Sequence, residues 1–285
     1  MRLLANNTEG IVDAPLKIIK REVPCLDSVW HYHAQYELIY ISQSFGTRFV
    51  GDNVSHFSPG ELVLVGPNLP HLWRNDTSYQ KKGNNDRVKT IVIKFTRELL
   101  GEGMFDRPEF SKINQLLSSS KFGVYFDQEQ SRAFHSTLLN LPNLSPVQQS
   151  IKLLGMLDSL SLIQERALLS TSDMRQSTNE NPDRIDRVLK YISDNYVNDI
   201  TLEDIADVAC MTTNSFCRFF KRMTNKSFTR FLNEVRIKNA SRLLIQEQVP
   251  VSEVCYMVGF NTITNFNKQF KQIMGRTPSD YRLAV

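Results

Sequence analysis

The feature that most constrains the fold of this chain is a stretch near its C-terminal end that occurs twice. TLEDIADVACMTTNSFCRFFKRMTNKSFTRFL (201–232) aligns with VSEVCYMVGFNTITNFNKQFKQIMGRTPSDYR (251–282). The first halves align at an offset of 49 residues and the second halves at an offset of 50, so one residue is inserted between them. Apolar residues recur at helical spacing in each half. Each stretch is therefore predicted to form a helix, a tight turn and a second helix.

Capping residues mark where these helices begin. Thr201 and Ser252 are predicted to cap the first helix of each unit, and their side chains would accept hydrogen bonds from free backbone N–H groups. Thr212 and Asn261 are predicted to cap the second helices in the same way.

The two turns differ in one residue. Gly259 lies in the second turn, where a left-handed backbone costs glycine little. Cys210 occupies the equivalent place in the first turn, where the same conformation predicts strain.

The second helix of each unit has two distinct faces. The buried stripes are predicted to be Phe216, Phe220 and Met223 in the first unit and Phe266, Phe270 and Ile273 in the second. The opposite faces combine amides, hydroxyls and cations. Amides read adenine, arginine and lysine read guanine, and cations hold phosphates, so such a helix suits the DNA major groove. The alternative is an ordinary solvated face, but two such helices in tandem favour DNA reading.

The distribution of charge points the same way. The whole chain has a formal net charge of +4, whereas residues 211–285 carry 12 Lys and Arg against 4 Asp and Glu, a net charge of +8. An excess of this size on a short segment indicates a polyanionic partner.

The region 184–282 resembles the DNA-binding domain of AraC-type transcription regulators. RIKNASRLL (236–244) looks like the family's linker helix, and the closing motif is matched by Gly275, Thr277, Pro278, Tyr281 and Arg282. The resemblance implies seven helices and two helix-turn-helix units that contact adjacent major grooves of double-stranded DNA.

The resemblance also implies a set of DNA-binding residues. Together with neighbouring cations, the matching positions are Asn214, Cys217, Arg218, Lys221, Arg222, Ile263, Thr264, Asn265, Asn267, Lys268 and Lys271. Cys217 and Ile263 cannot form bidentate hydrogen bonds to a base, so these positions read a thymine methyl group or nothing. Cys210 also departs from the family, which usually has glycine in that turn.

The N-terminal part has a different pattern. Short β-branched and aromatic runs such as YELIYIS (36–42), ELVLV (61–65) and IVIKF (91–95) are separated by Gly, Asn, Asp and Pro. This pattern predicts strands between residues 16 and 96, arranged as a β-sandwich or barrel, with a polar hairpin tip at 77–87.

The segment HYHAQYE (31–37) resembles part of the cupin-fold sensor domain found in many AraC-type regulators. His31, His33 and Glu37 match the first cupin motif, and His71 and Asn75 match the end of the second. The resemblance places these side chains inside a barrel. Regulators with this sensor domain bind a small organic effector, often a sugar.

Three interpretations of these residues stay open. The predicted effector-binding set is His31, His33, Glu37, His71 and Trp73, with Trp30, Tyr32, Tyr40 and Phe49 as further aromatics that could stack on a sugar. The same three imidazoles and carboxylate could instead bind Fe(II), Mn(II) or Zn(II). The histidines could also be purely structural. The organic effector is the prediction, and no cofactor is predicted.

Helices are predicted to follow the strands. Residues 145–169 read as one long helix with Ser145 as N-cap and an apolar stripe of Ile151, Leu154, Leu157, Leu160 and Ile163. This stripe could pack on the β-domain or form a dimer contact, and the family resemblance favours the dimer. The polar segment 170–183 is predicted to be a linker.

These observations predict a two-domain α+β protein of 285 residues. Residues 10–169 would form a cupin-like β-barrel with trailing helices that binds an effector and dimerises. The linker 170–183 would lead to an all-α DNA-binding domain at 184–285 with two helix-turn-helix units.

The predicted function is sequence-specific transcription regulation in the cytoplasm, without enzymatic activity. The N-terminal residues lack a signal-peptide core, apolar runs stay short of a membrane span, and the four cysteines include no CxxC pair. The expected partners are double-stranded DNA, a small-molecule effector, a second copy of the chain and, for an activator, RNA polymerase. The alternatives are a metal-binding cupin, sensor or enzyme, fused to a DNA reader, and an architectural DNA-binding protein.

Overall fold

The structure is a computed structural model that describes residues 14–26, 29–76, 87–174, 182–246 and 249–283. The chain divides into an N-terminal unit, residues 1–53 and 57–179, and a C-terminal unit, residues 180–285 together with 54–56. The N-terminal unit is rich in strands and the C-terminal unit is helical, which confirms the predicted fold class. The predicted hairpin tip lies outside the described residues except for Arg87.

Nine strands account for the β-structure of the described residues. They are β1 (Leu16–Val23), β2 (Tyr36–Gln43), β3 (Gly46–Val50), β4 (Asn53–Phe57), β5 (Leu62–Val65), β6 (His71–Asn75), β7 (Val88–Phe95), β8 (Val124–Phe126) and β9 (Ala167–Leu168). They form a six-stranded sheet in the order β1-β7-β2-β5-β8-β9 and a three-stranded sheet in the order β4-β3-β6. A single antiparallel bridge between His31 and His71 continues the pairing beside β6.

The two faces of the six-stranded sheet bury different cores, because side chains alternate along each strand. On one face Ile39, Val63 and Val92 pack with Val50 and Trp73 of the smaller sheet. The face made by the alternate residues packs against helices that follow the strands. This second layer explains why β2, β5 and β7 are apolar almost throughout.

The described residues of the N-terminal unit form four α-helices, α1 (Ser111–Ser119), α2 (Gln128–Ser131), α3 (His135–Asn140) and α4 (Pro146–Leu162), interspersed with short 3-10 turns. Ser145 caps α4 as predicted, in a capping box with Gln148. The helix is shorter than predicted, because the chain turns extended at Ile163 and residues 167–168 pair with β8 instead. This pairing satisfies backbone groups at the sheet edge and carries Leu169 into the core between the sheets.

The first residues of the predicted linker are part of the N-terminal unit. Asp52 accepts hydrogen bonds from the Ser170 hydroxyl at 2.9 Å and from the backbone and hydroxyl of Thr171 at 2.8 and 2.6 Å. Met174 is buried in the core between the sheets. Residues 170–174 are therefore held by the sheets, and residues 175–181 of the predicted linker lie outside the described residues.

The C-terminal unit contains seven helices in its described residues, the number that the family resemblance implies. They are α5 (Pro182–Asn195), α6 (Leu202–Val208), α7 (Thr213–Thr224), α8 (Phe228–Gln246), α9 (Val251–Met257), α10 (Ile263–Met274) and α11 (Pro278–Leu283). The bounds of α6 and α9 differ by 49 residues and those of α7 and α10 by 50, so the inserted residue lies in the turn, as predicted.

Two of the four predicted caps are confirmed. Thr201 caps α6 in a capping box with Asp204, and Thr212 caps α7. The predictions for α9 and α10 are wrong. Pro250 occupies the N-cap position of α9, which places Ser252 inside the helix.

The cap of α10 is Thr262, whose hydroxyl accepts from the Asn265 backbone N–H at 3.3 Å. The inserted residue lengthens the preceding turn and moves the cap one position beyond Asn261.

The structure extends the repeat to a pair of arginines. Arg236 of α8 donates to the backbone carbonyls of Tyr196 and Asn198, both at 2.7 Å, just after α5. Arg282 of α11 donates to the carbonyls of Leu244 and Val249, around the end of α8. Each arginine thus ties the helix after a helix-turn-helix to the chain segment before it. The helices of the described residues are all too short or too polar to span a membrane.

Candidate functional site: a nucleic-acid interface and a histidine cluster

Helix α7 separates its apolar and polar residues onto opposite faces. Phe216, Phe220 and Met223 are buried, as predicted. The predicted DNA-binding residues of this helix are all exposed: Asn214, Cys217, Arg218, Lys221 and Arg222. Thr212 caps the N-terminus of the helix, and Asn214 lies in the first turn after this cap.

Helix α10 repeats this arrangement. Phe266 and Phe270 are fully buried, while Ile273 is half-buried. The exposed predicted residues are Thr264, Asn265, Asn267, Lys268 and Lys271. Ile263 differs, because it is half-buried and packs against the core of the second unit. Packing against this core is therefore enough to explain why position 263 is an isoleucine.

Helix α8 holds the two polar helices in one body. It contacts α7 on one side and α9, α10 and α11 on the other. Its residues Ile237, Ala240 and Leu244 belong to the same core as Phe266 and Phe270. Because α8 packs against both helix-turn-helix units, it fixes the relative orientation of α7 and α10, as two recognition helices on one duplex require.

A second candidate site lies between the two β-sheets. The imidazoles of His31, His33 and His71 and the carboxylate of Glu37 offer donor atoms that all lie within 4.8 Å of one another. The ring centroids of His31 and His71 are 4.3 Å apart. The backbone bridge between these two residues brings the first motif against the second. The structure therefore brings together the four side chains that the two motifs supply.

Backbone carbonyls orient all three imidazoles in the same way. The Nδ1 atoms lie 2.8 Å from Val29 O for His31, 3.0 Å from Gln35 O for His33 and 2.8 Å from Leu69 O for His71. A carbonyl oxygen only accepts, so each Nδ1 carries the proton and each Nε2 has a lone pair. Metal-binding histidines are commonly oriented by such a bond.

The other contacts of the cluster converge on one carboxylate oxygen of Glu37. Its Oε2 lies 2.6 Å from His33 Nε2, 3.1 Å from Lys94 Nζ and 3.8 Å from His71 Nε2. Burial by itself would raise the pKa of Glu37, but the His33 and His71 contacts and the Lys94 charge hold that pKa well below its usual range. Glu37 is thus a buried carboxylate.

Burial favours the neutral form of two of these histidines, His31 and His33. Burial, aided by the charge that His71 would carry, lowers the pKa of His31 to about 3. Burial also lowers the pKa of His33, against the opposing hydrogen bond to Glu37. Neutral imidazoles are the form that binds a transition metal.

The donor set fits a divalent transition metal. Two acceptors, His33 Nε2 and Glu37 Oε2, face each other at 2.6 Å, which calls for a cation or a proton between them. Among the described residues His71 Nε2 is buried with no hydrogen-bond partner. Metal–ligand distances of about 2.0–2.2 Å place donors roughly 3–3.5 Å apart around one ion. The 2.6 Å pair of His33 and Glu37 would separate slightly, and the wider pairs of the cluster would contract.

The cavity beside the cluster is small. It measures about 50 Å³, and its lining includes His31, Glu37, His71, Trp73 and Lys94. Organic ligands occupy pockets of roughly 300–1,000 Å³, so a sugar would require the sheets to separate. Trp73 is the predicted aromatic residue that lines this cavity, together with Leu26, Ile39 and Val92. Tyr40 lies on the opposite face of its sheet, where its hydroxyl is 2.6 Å from His135 Nδ1.

A larger groove opens on that opposite face. It measures about 790 Å³ and lies between the β2 end of the sheet and helices α2 and α3. Tyr40, Ser42, Arg132 and His135 are among its lining residues. Its volume falls in the range of organic ligand sites.

The sequence predictions missed Thr90 and Lys94, which line the cavity from β7. A signal was available, because Thr90 and Lys94 are polar residues four positions apart on one face of β7, VKTIVIKF, opposite the face of Lys89. Asn75, which belongs to the second cupin motif, has a structural role instead. It accepts from the Leu26 backbone N–H at 2.6 Å and donates to Ser44 and the Phe45 carbonyl.

Comparisons with known proteins match the C-terminal unit most strongly. Residues 205–284 match the helix-turn-helix domain family. The uncharacterized HTH-type transcriptional regulator YdeC of Bacillus subtilis is 39% identical over 99 residues, which are 35% of this chain and 34% of YdeC. The HTH-type transcriptional activator RhaS of Enterobacter sp. is 24% identical over 258 residues, 88% of this chain and 86% of RhaS.

Among solved structures, the C-terminal domain of AraT, a response regulator from Geobacillus stearothermophilus, is 29% identical with a TM-score of 0.35. The match covers 36% of this chain and 85% of the AraT domain. The chain thus spans about a third of the length of YdeC and most of the length of RhaS.

Proposed function

We propose that the protein is a ligand-responsive, sequence-specific transcription regulator. The premise is that residues 205–284 form a helix-turn-helix domain that resembles the AraC type. The observation that carries the proposal is the pair of exposed polar helices, α7 and α10, held by the same long helix. Both helices expose amides and cations and bury matching phenylalanines.

On DNA, α7 and α10 would occupy successive major grooves about 34 Å apart. Arg218 and Lys268 lie one turn into their helices and would read bases. Lys221, Arg222 and Lys271 lie further along and would hold phosphates. The backbone N–H groups of the capped N-terminal turns favour phosphate contacts as well.

The test begins with selecting bound sequences from a random DNA pool with the full-length chain. Arg218→Ala and Lys268→Ala should each weaken binding to the selected site by about 1–3 kcal/mol, because each removes a bidentate or charge-assisted base contact. Binding would be measured by fluorescence anisotropy at one fixed salt concentration.

Lys190→Ala is the matched control, since Lys190 is an exposed lysine of the same unit on α5. It should leave affinity unchanged. Equal losses on selected and scrambled DNA would demote Arg218 and Lys268 to phosphate contacts. A selection that yields no preferred sequence would favour an architectural DNA-binding protein.

The second candidate function concerns the N-terminal unit: the histidine cluster binds a divalent transition metal as its signal. The three Nδ1–carbonyl bonds support it, because they direct three lone pairs towards one carboxylate. When bound, the metal would add Lewis acidity to the cluster. The chain's own residues would orient the imidazoles, keep them neutral and exclude water.

Metal content would be measured by mass spectrometry on full-length protein purified without a His-tag or chelator. About one equivalent is expected in the wild type and none in a His33→Ala/His71→Ala variant. His135→Ala is the control, because His135 lies on the other face of the sheet. Protein without metal even after reconstitution with Fe(II), Mn(II) and Zn(II) would refute the metal proposal and leave the DNA-binding proposal intact.

An organic effector is the other ligand class for this unit. A sugar-sized compound would fit the groove beside α2 and α3 as the structure stands, rather than the cavity at the histidines. Either ligand can shift DNA binding only through its different affinity for two conformations. The proposal includes a second copy of the chain as partner, RNA polymerase for an activator, and no catalysis.

A further inference from the structure

Lys94 is a cation in direct contact with the histidine cluster, and it lines the adjoining cavity together with Arg21. It lies on β7 in direct register with Glu37 on β2 and with Lys17 on β1. Directly paired residues share a face of the sheet, so Lys94 points towards the cavity with Glu37. Its Nζ is 3.1 Å from Glu37 Oε2, and its side chain is 15% exposed, which leaves a path to solvent.

This contact pairs the carboxylate of Glu37 with the ammonium of Lys94. Arg21 lines the same cavity as a second cation. A divalent ion bound at Glu37 would add two positive charges beside Lys94 in a buried site. Like charges in such a setting repel strongly, because little water screens them.

We propose that Lys94 is a resident cation that competes with a divalent metal for Glu37 and thereby sets the metal concentration at which the site fills. The inference rests on the proposed metal site. Metal binding would require the ammonium to leave Oε2 and move towards solvent. Lys17, next to it on β1, opposes that movement by charge repulsion.

Lys94→Met tests this in the full-length protein, since methionine keeps the unbranched apolar stem without the charge. Co(II) would be titrated by visible absorption and Zn(II) by competition with a chromophoric chelator. The variant should bind both metals about 10- to 100-fold more tightly than the wild type. Without metal it should unfold at a lower temperature, because the buried carboxylate loses its partner.

Lys89→Met is the matched control, because Lys89 lies on the same strand but is exposed. It should change neither metal affinity nor thermal stability. Lys94→Gln, which keeps a hydrogen-bond donor, is the second variant if Lys94→Met does not fold. Its metal affinity should also rise.

The outcomes separate this inference from the metal site itself. Equal or weaker metal binding by the Lys94 variants, with clear binding by the wild type, would overturn the role of Lys94 alone. An absence of binding by wild type and both variants would overturn the metal site and this inference together. Opposite changes in metal affinity and metal-free stability are the expected result, and a residue that only supports the fold would lower both.

Discussion

At the residue scale, Cys210 shows how a repeat tolerates an unfavourable substitution. Its backbone is left-handed, with φ of +52°, and Gly259 has φ of +87° at the matching place. A methyl group on Gly259 would lie 2.6 Å from the Val197 carbonyl, so that position requires glycine for space as well as conformation. Cys210 is exposed, and its strain is purely local.

Cys210→Gly should therefore stabilise the protein. Relief of a left-handed conformation is worth about 1–2 kcal/mol, and the extra freedom of glycine in the unfolded chain costs about 0.4–1 kcal/mol. The free energy of unfolding should rise by about 0.5–1 kcal/mol. Chemical denaturation followed by far-UV circular dichroism reports this, because the C-terminal unit is helical.

The control is Cys210→Ala, which removes the thiol but retains Cβ and hence the strain. It should leave stability near that of the wild type. Stabilisation by alanine as large as that by glycine would attribute the effect to the thiol rather than to the backbone.

At the element scale, α4 has an outer face that the chain itself leaves uncovered in the described residues. Val147, Ile151 and Leu162 are 69%, 62% and 52% exposed. The buried face is formed by Leu153, Met156, Leu157 and Leu160, so the predicted stripe was only partly right: Ile151 belongs to the outer face. Packing on the rest of the N-terminal unit and the predicted dimer contact thus involve different faces of α4.

Gly155 lies near the middle of this outer face. A Cβ there would meet no atom of the described chain within 4 Å, so packing within one copy does not require glycine. Glycine in a helix costs roughly 0.5–1 kcal/mol relative to alanine, and it permits close approach of a second helix. In an antiparallel pair centred on Gly155, Lys152 of one copy would face Asp158 of the other.

We therefore expect a homodimer through α4. Lys152→Glu should weaken dimerisation by placing like charges opposite each other, and Lys152→Glu/Asp158→Lys should restore it. Analytical ultracentrifugation of the full-length protein measures the association constant of each variant.

Lys112→Glu on α1 is the control for a change in net charge, since Lys112 is also an exposed helical lysine. A wild type that stays monomeric at high concentration would exclude the dimer. A double variant as weak as the single one would mean that the two helices are not antiparallel about Gly155.

At the scale of the whole molecule, the two units divide the chemistry between them. The C-terminal unit presents cations and amides on exposed helices, and the N-terminal unit buries its polar cluster between sheets. The Asp52 hydrogen bonds hold the start of the connecting segment at Ser170 and Thr171. Asp52 follows Val50, which pairs with His71, so the histidine cluster and the start of the connecting segment both adjoin the turn after β3.

Much of this architecture could be read from the sequence. Periodic apolar residues identified α7, α8 and α10 and strands β2, β5 and β7, because burial of one face imposes a spacing that local structure fixes. The repeat located the turns, and the histidine motif identified side chains that meet. The caps at Ser145, Thr201 and Thr212 were predicted correctly. The inserted residue moves the cap of α10 from Asn261 to Thr262, and Pro250 instead of Ser252 takes the N-cap position of α9.

What the tertiary structure alone decided depends on contacts between distant residues. The end of α4 at Leu162 follows from pairing of residues 167–168 with β8. The size of the cavity and the presence of Lys94 beside Glu37 follow from the register of β2 and β7. The sequence by itself determined a DNA-binding fold and a set of possible ligands. Strand register and sheet spacing decided the distances between the donor atoms and the volume of the cavity beside them, because both depend on how distant strands pair.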